Sequence, residues 1–73
     1  MLNYLKIQQS FIKETEEGLH VIKEYGIQAW YDLGGWIDYP SAVRALNRML
    51  ITLEEEERYE DCAFVRDLIP LFS

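Results

Sequence analysis

The first third of the chain alternates apolar and polar residues with the period of a helix. From about Asn3 to Tyr25, apolar residues recur every three or four positions, which is typical of one helix face. The stripe and its flanks contain Tyr4, Leu5, Ile7, Phe11, Ile12, Thr15, Gly18, Leu19, Val21, Ile22 and Tyr25. The opposite side contains Lys6, Lys13, Glu17, His20 and Glu24. The pattern predicts one long amphipathic helix.

Two glycines bear on the continuity and the end of this predicted helix. Gly18 costs about 1 kcal/mol in a helix interior, so it either breaks the segment or marks a close approach of a neighbouring helix. Gly26 is expected at the left-handed position that follows the helix, with Ile27 making the hydrophobic contact common at such ends.

The next stretch is rich in aromatic residues and leaves two interpretations open. Residues 27 to 33 form either a turn or two of helix closed by Gly34 and Gly35, or an irregular loop pinned by Trp30 and Trp36. Four aromatic side chains here are candidates for a ligand pocket, although a plug that closes the core is the expected role in so small a protein. They are Trp30, Tyr31, Trp36 and Tyr39.

A second strong helical signal begins at Asp38. Asp38 is a candidate N-cap and Pro40 suits a first turn, so a helix is expected to run to about Glu57. Its apolar face contains Ala42, Val43, Leu46, Met49, Leu50 and Leu53. Arg44, Arg48 and Glu55 share another face, with Ile51 among them.

A short break near residues 58 and 59 separates this helix from a last one. The last helix is expected from about Glu60 to Ile69, with Pro70 stopping it. So short a connection predicts that the two helices pack antiparallel as a helical hairpin. Tyr59 is expected to plug the turn, and the small residues Cys62 and Ala63 to let the helices approach.

Together these elements predict an all-α fold. We expect a single domain, a small helical bundle of three or four helices that ends in an antiparallel helical hairpin. Its segments are a long amphipathic helix (1–26), an aromatic-rich connection (27–38) and the hairpin (39–73). A chain of 73 residues buries only part of its surface on folding, and its hydrophobic fraction of 49% is high for that size. We therefore expect a protein partner or a homodimer.

Charge, hydropathy and cysteine content limit the expected binding partners and cellular location. The net charge of −6 argues against direct nucleic-acid binding, which depends on Lys and Arg contacts to phosphate. No apolar run approaches the roughly 20 residues that span a bilayer, and one unpaired cysteine fits a reducing compartment. We therefore expect a cytoplasmic protein that binds neither nucleic acid nor membrane.

The chain offers no catalytic constellation. His20 lies on the polar side of the first helix, and Cys62 has Glu60 and Asp61 beside it, which oppose thiolate formation. Cys62 is better explained as a small buried residue. We predict no enzyme activity, and no catalytic, cofactor-binding or metal site.

The run EEEERYED, residues 54 to 61, is the most distinctive charged segment. A solvated helix end with Glu54 paired to Arg58 is the favoured interpretation, over a cation cluster or an imitation of a nucleic-acid backbone. Four glutamates at a helix C-terminus oppose the helix dipole. A basic partner surface would relieve that cost.

The closing segment resembles a known family. The pattern L46-x3-L50-x2-L53-x5-Y59-E60-x-C62-A63-x2-R66-D67-x-I69 resembles the UVR motif. This motif is a helical hairpin found in bacterial excinuclease helicase and nuclease subunits, Clp-type ATPases and activators of arginine kinases. Leu50, Leu53 and Glu57 depart from its usual Met, Ala and Leu. The resemblance implies a protein-docking hairpin without catalysis of its own.

Two functional hypotheses follow. The first is a non-enzymatic interaction module or small regulatory protein that docks through the hairpin, with candidate contacts Glu54, Glu55, Arg58, Tyr59, Glu60, Arg66 and Asp67. Arg66 and Asp67 have an equally supported structural role, with Arg66 reaching a carboxylate such as Glu60. The alternative is an acidic inhibitor, of the type that phages and mobile elements encode, that occupies a basic site of a host factor. Acids on one continuous face would favour inhibition, and scattered acids beside an exposed apolar patch would favour docking.

Overall fold

The computed structural model describes residues 14–72, and every regular element in this range is helical. Helices α1, α2, α3 and α4 span Thr15–Tyr25, Ile27–Gly34, Tyr39–Glu55 and Tyr59–Arg66, and a short 3-10 helix spans Ile69–Phe72. The predicted all-α class is therefore confirmed. The chain divides into two compact units between Gly35 and Trp36, inside the stretch predicted as a connection.

Helix α1 carries the second half of the predicted apolar stripe. It begins at Thr15, after an extended Glu14 with φ −79° and ψ 145°, and the earlier part of the predicted helix, residues 3–13, lies outside the described residues. Gly18 does not interrupt α1. Gly18, Leu19, Val21 and Ile22 are all buried, whereas Glu17, His20 and Glu24 are exposed, as the pattern predicts. Tyr25, the last residue of the predicted stripe, is 41% exposed instead.

Glycines close both helices of the first unit. Gly26 donates its N–H to the Ile22 carbonyl at 2.8 Å and has φ 95° and ψ 164°. Its φ is positive as predicted, but its ψ is extended rather than left-handed helical, because the chain enters α2 at once. Gly35 takes the left-handed conformation instead, with φ 61° and ψ 35° after α2.

The helical interpretation of residues 27 to 33 is the correct one. Helix α2 packs against α1, and the Trp30 side chain is completely buried. Tyr31 is partly buried. Trp30 and Tyr31 therefore belong to a packed helix rather than to an irregular loop.

Helix α3 starts as the sequence predicts. The Asp38 carboxylate accepts a hydrogen bond from the Ser41 N–H at 3.0 Å, and Pro40 lies in the first turn. Hydrogen bonds donated by the Ser41 side chain and N–H lower the pKa of Asp38, and the nearby Arg44 charge acts in the same direction. Ala42, Leu46, Met49 and Leu53 are buried, with Val43 and Leu50 partly buried.

The chain that leaves α3 returns to the beginning of the same helix. Helix α4 and the 3-10 helix both pack against α3, and the Phe72 ring meets the Tyr39 ring edge-on at a centroid distance of 5.2 Å. Since Tyr39 is the first residue of α3, residues 56–72 run back along its length. This path is compatible with the predicted antiparallel helical hairpin, which stays a prediction.

The last helix ends earlier than predicted. Helix α4 stops at Arg66, and Pro70 lies inside the 3-10 helix rather than ending an α-helix. Proline cannot donate the hydrogen bond that would continue α4, and it disfavours an α conformation at Ile69. It fits early in a 3-10 turn, where its missing N–H costs nothing. Among residues 14–72 no helix combines the length and the apolarity needed to cross a bilayer.

Candidate functional site: the acidic corner of the second unit

The turn between α3 and α4 is built around one unusual residue. The Arg58 N–H bonds to the Leu53 carbonyl at 2.9 Å and the Glu57 N–H bonds to the Glu54 carbonyl at 3.0 Å, which is the pair of hydrogen bonds of a Schellman motif. Such motifs place a residue with positive φ just beyond the helix, usually glycine. Here Glu57 has φ 58°, and it is the one non-glycine residue with positive φ in the described part of the chain.

Arg58 ties the two sides of this turn together. Its Nε and Nη2 donate to Asp61 Oδ2 at 3.1 and 2.8 Å, and its Nη1 donates to Glu56 Oε1 at 3.3 Å. Because α3 has ended at Glu55, Arg58 is not the i+4 neighbour of Glu54 on a continuous helix. The positive charge is instead held between the first carboxylate after α3 and one in the first turn of α4.

A shallow open depression of about 420 Å³ lies at this turn, lined by Glu57, Arg58, Tyr59, Glu60 and Asp61. We call residues 54–61 the acidic corner.

Tyr59 is 65% exposed, so the expectation that it plugs the turn is wrong. Leu53 at the end of α3 and Cys62 in α4 are buried beside the turn instead, with exposures of 0% and 1%.

Of the two small residues after the turn, only one is buried. Cys62 is buried with a free thiol, as predicted, but Ala63 is exposed. Val65, three residues after Cys62, is completely buried instead. In an α-helix, residues three positions apart share a face whereas neighbours diverge, so Cys62 and Ala63 do not both meet α3.

The net charge of the chain is concentrated at the acidic corner. Residues 54–61 contain six carboxylates and one arginine, so they account for −5 of the total −6. The rest of the chain holds seven acidic and six basic residues. Glu54, Glu55, Glu56, Glu57 and Glu60 are all exposed, and the charge of Arg58 is already neutralised. A partner approaching this end of the unit therefore meets a local negative field.

The remaining candidate contacts lie away from the turn. Arg66 and Asp67 are exposed at the far end of α4, roughly 10 Å from Tyr59 along the helix axis at 1.5 Å per residue. The structure does not bring them to the depression. Within residues 14–72 Arg66 makes no ion pair, so the alternative in which it reaches Glu60 is wrong.

The other candidates for catalysis, metal binding or ligand binding lie apart from one another. His20 is exposed on α1, and no three His, Cys, Asp or Glu side chains in the described range are placed to hold a metal ion. The four aromatic candidates belong to two different units, Trp30 and Tyr31 to the first and Trp36 and Tyr39 to the second.

Sequence reasoning missed three residues of the acidic corner. Glu56 and Asp61 bind Arg58, and Glu57 shapes the turn through its backbone. The spacing of Arg58 and Asp61, three residues apart, is a detectable signal once α4 is known to begin at Tyr59. No local signal marks Glu57, because glutamate is not a residue that favours positive φ.

Scans of the chain against protein-family models, curated proteins and solved structures find no match.

Proposed function

We propose that the protein is a non-enzymatic interaction module that docks on a basic surface of another protein through its acidic corner. The observation that carries this proposal is the concentration of charge. One turn of the second unit accounts for −5 of the net charge of −6, around an aromatic side chain that is 65% exposed.

The α3 side of the acidic corner, residues 54–57, is locally unfavourable for folding, which supports a role in binding. Glutamates at the C-terminal end of α3 oppose its dipole, at about 0.3–1 kcal/mol each when exposed. The positive φ of Glu57 costs on the order of 1 kcal/mol more. Departures from local rules that gather at one point are typical of functional sites. A cationic partner would relieve the repulsion among these carboxylates.

Tyr59 supplies an anchor within this charged surface. Tyrosine is enriched among the residues that dominate binding energy at protein interfaces, because it buries a large rigid ring and keeps a polar tip. Glu57 and Glu60 line the same depression as Tyr59. A basic side chain of the partner that covers Tyr59 would meet both carboxylates.

The resemblance to the UVR motif points to the same class of function. In that family the hairpin pairs with another hairpin and has no catalysis of its own. Arg66 and Asp67, which the motif includes, lie at the opposite end of α4. They would contact a partner only if it extends along that helix.

The second candidate is an acidic inhibitor that occupies a basic nucleic-acid-binding or protein-binding site of a host factor. The exposed run of Glu54, Glu55, Glu56 and Glu57, continued by Glu60 across the turn, favours it. This mode depends on charge alone. Docking through a defined protein surface depends on Tyr59 as well.

Affinity capture from a bacterial lysate, followed by titration of the captured protein, tests the proposal. The wild type is compared with Tyr59→Ala, with the triple variant Glu54→Gln/Glu57→Gln/Glu60→Gln, and with Ile37→Ala. Ile37 is 92% exposed outside the acidic corner, and its variant serves as the matched control. Circular dichroism establishes that each variant folds.

We expect Tyr59→Ala and the triple variant each to lose one specific partner that the wild type and Ile37→Ala retain. Rising salt should weaken that complex. If Tyr59→Ala binds like the wild type and only the triple variant fails, the charge-based inhibitor is favoured. A partner retained by both variants would show that the acidic corner is not the docking site.

A further inference from the structure

The outward face of α3 carries a second exposed pattern, separate from the turn. Arg44, Arg48, Ile51 and Glu55 are all exposed. They follow one another at intervals of four, three and four residues, which places them on one stripe of a helix. The stripe begins with two basic residues, has an isoleucine that is 57% exposed, and ends with an acid.

The four positions of this stripe are spaced symmetrically about its midpoint. Arg44 and Glu55 lie equally far from the midpoint between Met49 and Leu50, and so do Arg48 and Ile51. When two copies of α3 lie antiparallel with these midpoints together, Arg44 of each copy is level with Glu55 of the other. Arg48 of each copy is then level with Ile51 of the other.

We propose that this face of α3 binds a second copy of the chain in an antiparallel, two-fold symmetric dimer. Charge complementarity selects this occupant and this direction, since the basic half of one stripe meets the acidic half of the other twice. A parallel arrangement would place Arg44 against Arg44 and Glu55 against Glu55. In the antiparallel register the aliphatic part of Arg48 covers the exposed Ile51 of its partner.

The length of α3 suits such a pairing. Its 17 residues extend over roughly 25 Å at 1.5 Å per residue, so the stripe from Arg44 to Glu55 covers about two thirds of the helix. Near its start, Arg44 donates a hydrogen bond to Ser41 Oγ at 3.1 Å, which holds its side chain close to the helix surface. One isoleucine and two exposed ion pairs stabilise little, so the dimer is weak and sensitive to salt.

The dimer face is distinct from the proposed docking site. It shares Glu55 with the acidic corner but includes neither Tyr59 nor Glu60. The two proposals therefore fail separately: Tyr59→Ala tests docking and leaves the dimer face intact, whereas Arg44→Glu tests the dimer and leaves Tyr59 and Glu60 intact.

Charge reversal and mixing test the dimer. Sedimentation equilibrium is measured at low salt, up to millimolar concentration, for the wild type, Arg44→Glu, Glu55→Arg, the double variant Arg44→Glu/Glu55→Arg, and an equal mixture of the two single variants. Arg66→Glu on α4 changes the net charge as Arg44→Glu does and serves as the control. Circular dichroism verifies folding.

We expect a wild-type dimer whose dissociation constant rises about tenfold in each single variant, because two symmetric attractions become two repulsions. The mixture and the double variant should regain wild-type association, since each restores opposite charges at both pairs. Arg66→Glu should associate like the wild type. A wild type that stays monomeric, single variants that dimerise normally, or a mixture that fails to recover would each overturn the proposal.

Discussion

The two ends of α3 are stabilised in opposite ways. At its N-terminal end, Asp38 caps the helix, Pro40 occupies the first turn, and the Tyr39 ring packs on Phe72. At its C-terminal end the last turn carries Glu54 and Glu55, and a glutamate adopts the backbone conformation usually given to glycine. Both ends form complete hydrogen-bonded caps, but only the first uses the residues that favour them.

The difference shows that the residues at the N-terminal end of α3 favour the observed cap, whereas those at the C-terminal end oppose it. Removing the favourable cap should cost stability, whereas correcting the unfavourable one should increase it. Local conflicts of this kind are expected at functional sites. Four changes, from the largest effect to the smallest, test the buried interior that α3 shares with α4 and then this contrast between the two ends.

The largest effect is expected from the buried interior shared by α3 and α4. Leu53→Ala should lower the free energy of unfolding by about 2–5 kcal/mol, because it removes buried methyl groups and leaves a cavity. Urea denaturation measures the loss. Ile51→Ala, two residues away at a site that is 57% exposed, is the control and should change stability little. Equal effects at the two sites would show that Leu53 is not part of the core.

Loss of the N-terminal cap should come next. Asp38→Ala should lower the thermal midpoint by several degrees, because the Ser41 N–H loses its acceptor. Asp38→Asn keeps a capping oxygen and should recover most of the loss at neutral pH. Differential scanning calorimetry compares the three proteins. Equal melting of all three would contradict the cap.

The same cap predicts a pH dependence. The pKa of Asp38 is lowered in the folded state from an ordinary value of 3.8. Its charged form therefore stabilises the fold above that value, and the stabilisation is lost as the pH falls through the lower, folded-state pKa. The stability difference between wild type and Asp38→Asn should stay constant above pH 5 and shift in favour of Asp38→Asn as the pH falls below about 4.

At the other end of α3, Glu57→Gly should stabilise the protein by about 1 kcal/mol, because glycine adopts positive φ without strain. Glu56→Gly is the matched control. Glu56 has φ −91° and pairs with Arg58, so glycine there relieves no strain, removes that ion pair and increases the entropy of the unfolded chain. Urea denaturation should move in opposite directions for the two variants. Destabilisation by both would mean that Glu57 is not strained.

The smallest expected effect concerns the helix dipole. Glu54→Gln removes one charge from the last turn of α3 and should raise the free energy of unfolding by about 0.3–1 kcal/mol at low salt. Glu17→Gln in the first turn of α1 should have the opposite sign. Both effects should shrink as salt is added. A difference between the variants that persists in high salt would argue for a cause other than charge.

Much of the fold could be predicted because it rests on local signals. The buried face of α3, the Asp38 cap and the polar and apolar sides of α1 follow from helical periodicity and capping chemistry. The helix over residues 27 to 33 was one of two interpretations, since an aromatic run fits a buried helix as well as a loop.

The errors concern details that non-local packing decides. Tyr59 is exposed, whereas Leu53 and Cys62 are the side chains buried beside the turn. The 3-10 helix that contains Pro70 packs on α3, a contact that the residues around Pro70 do not reveal. The positive φ of Glu57 depends on where α4 must begin, which no single residue in the turn reveals.

The division between Gly35 and Trp36 has a spectroscopic consequence. It leaves one tryptophan in each unit, Trp30 completely buried in the first and Trp36 partly buried in the second. Intrinsic fluorescence in a Trp36→Phe protein would report on the first unit alone, and a Trp30→Phe protein would report on the second. The chain therefore carries a separate natural fluorophore for each of its units, and no external dye is needed to follow them independently.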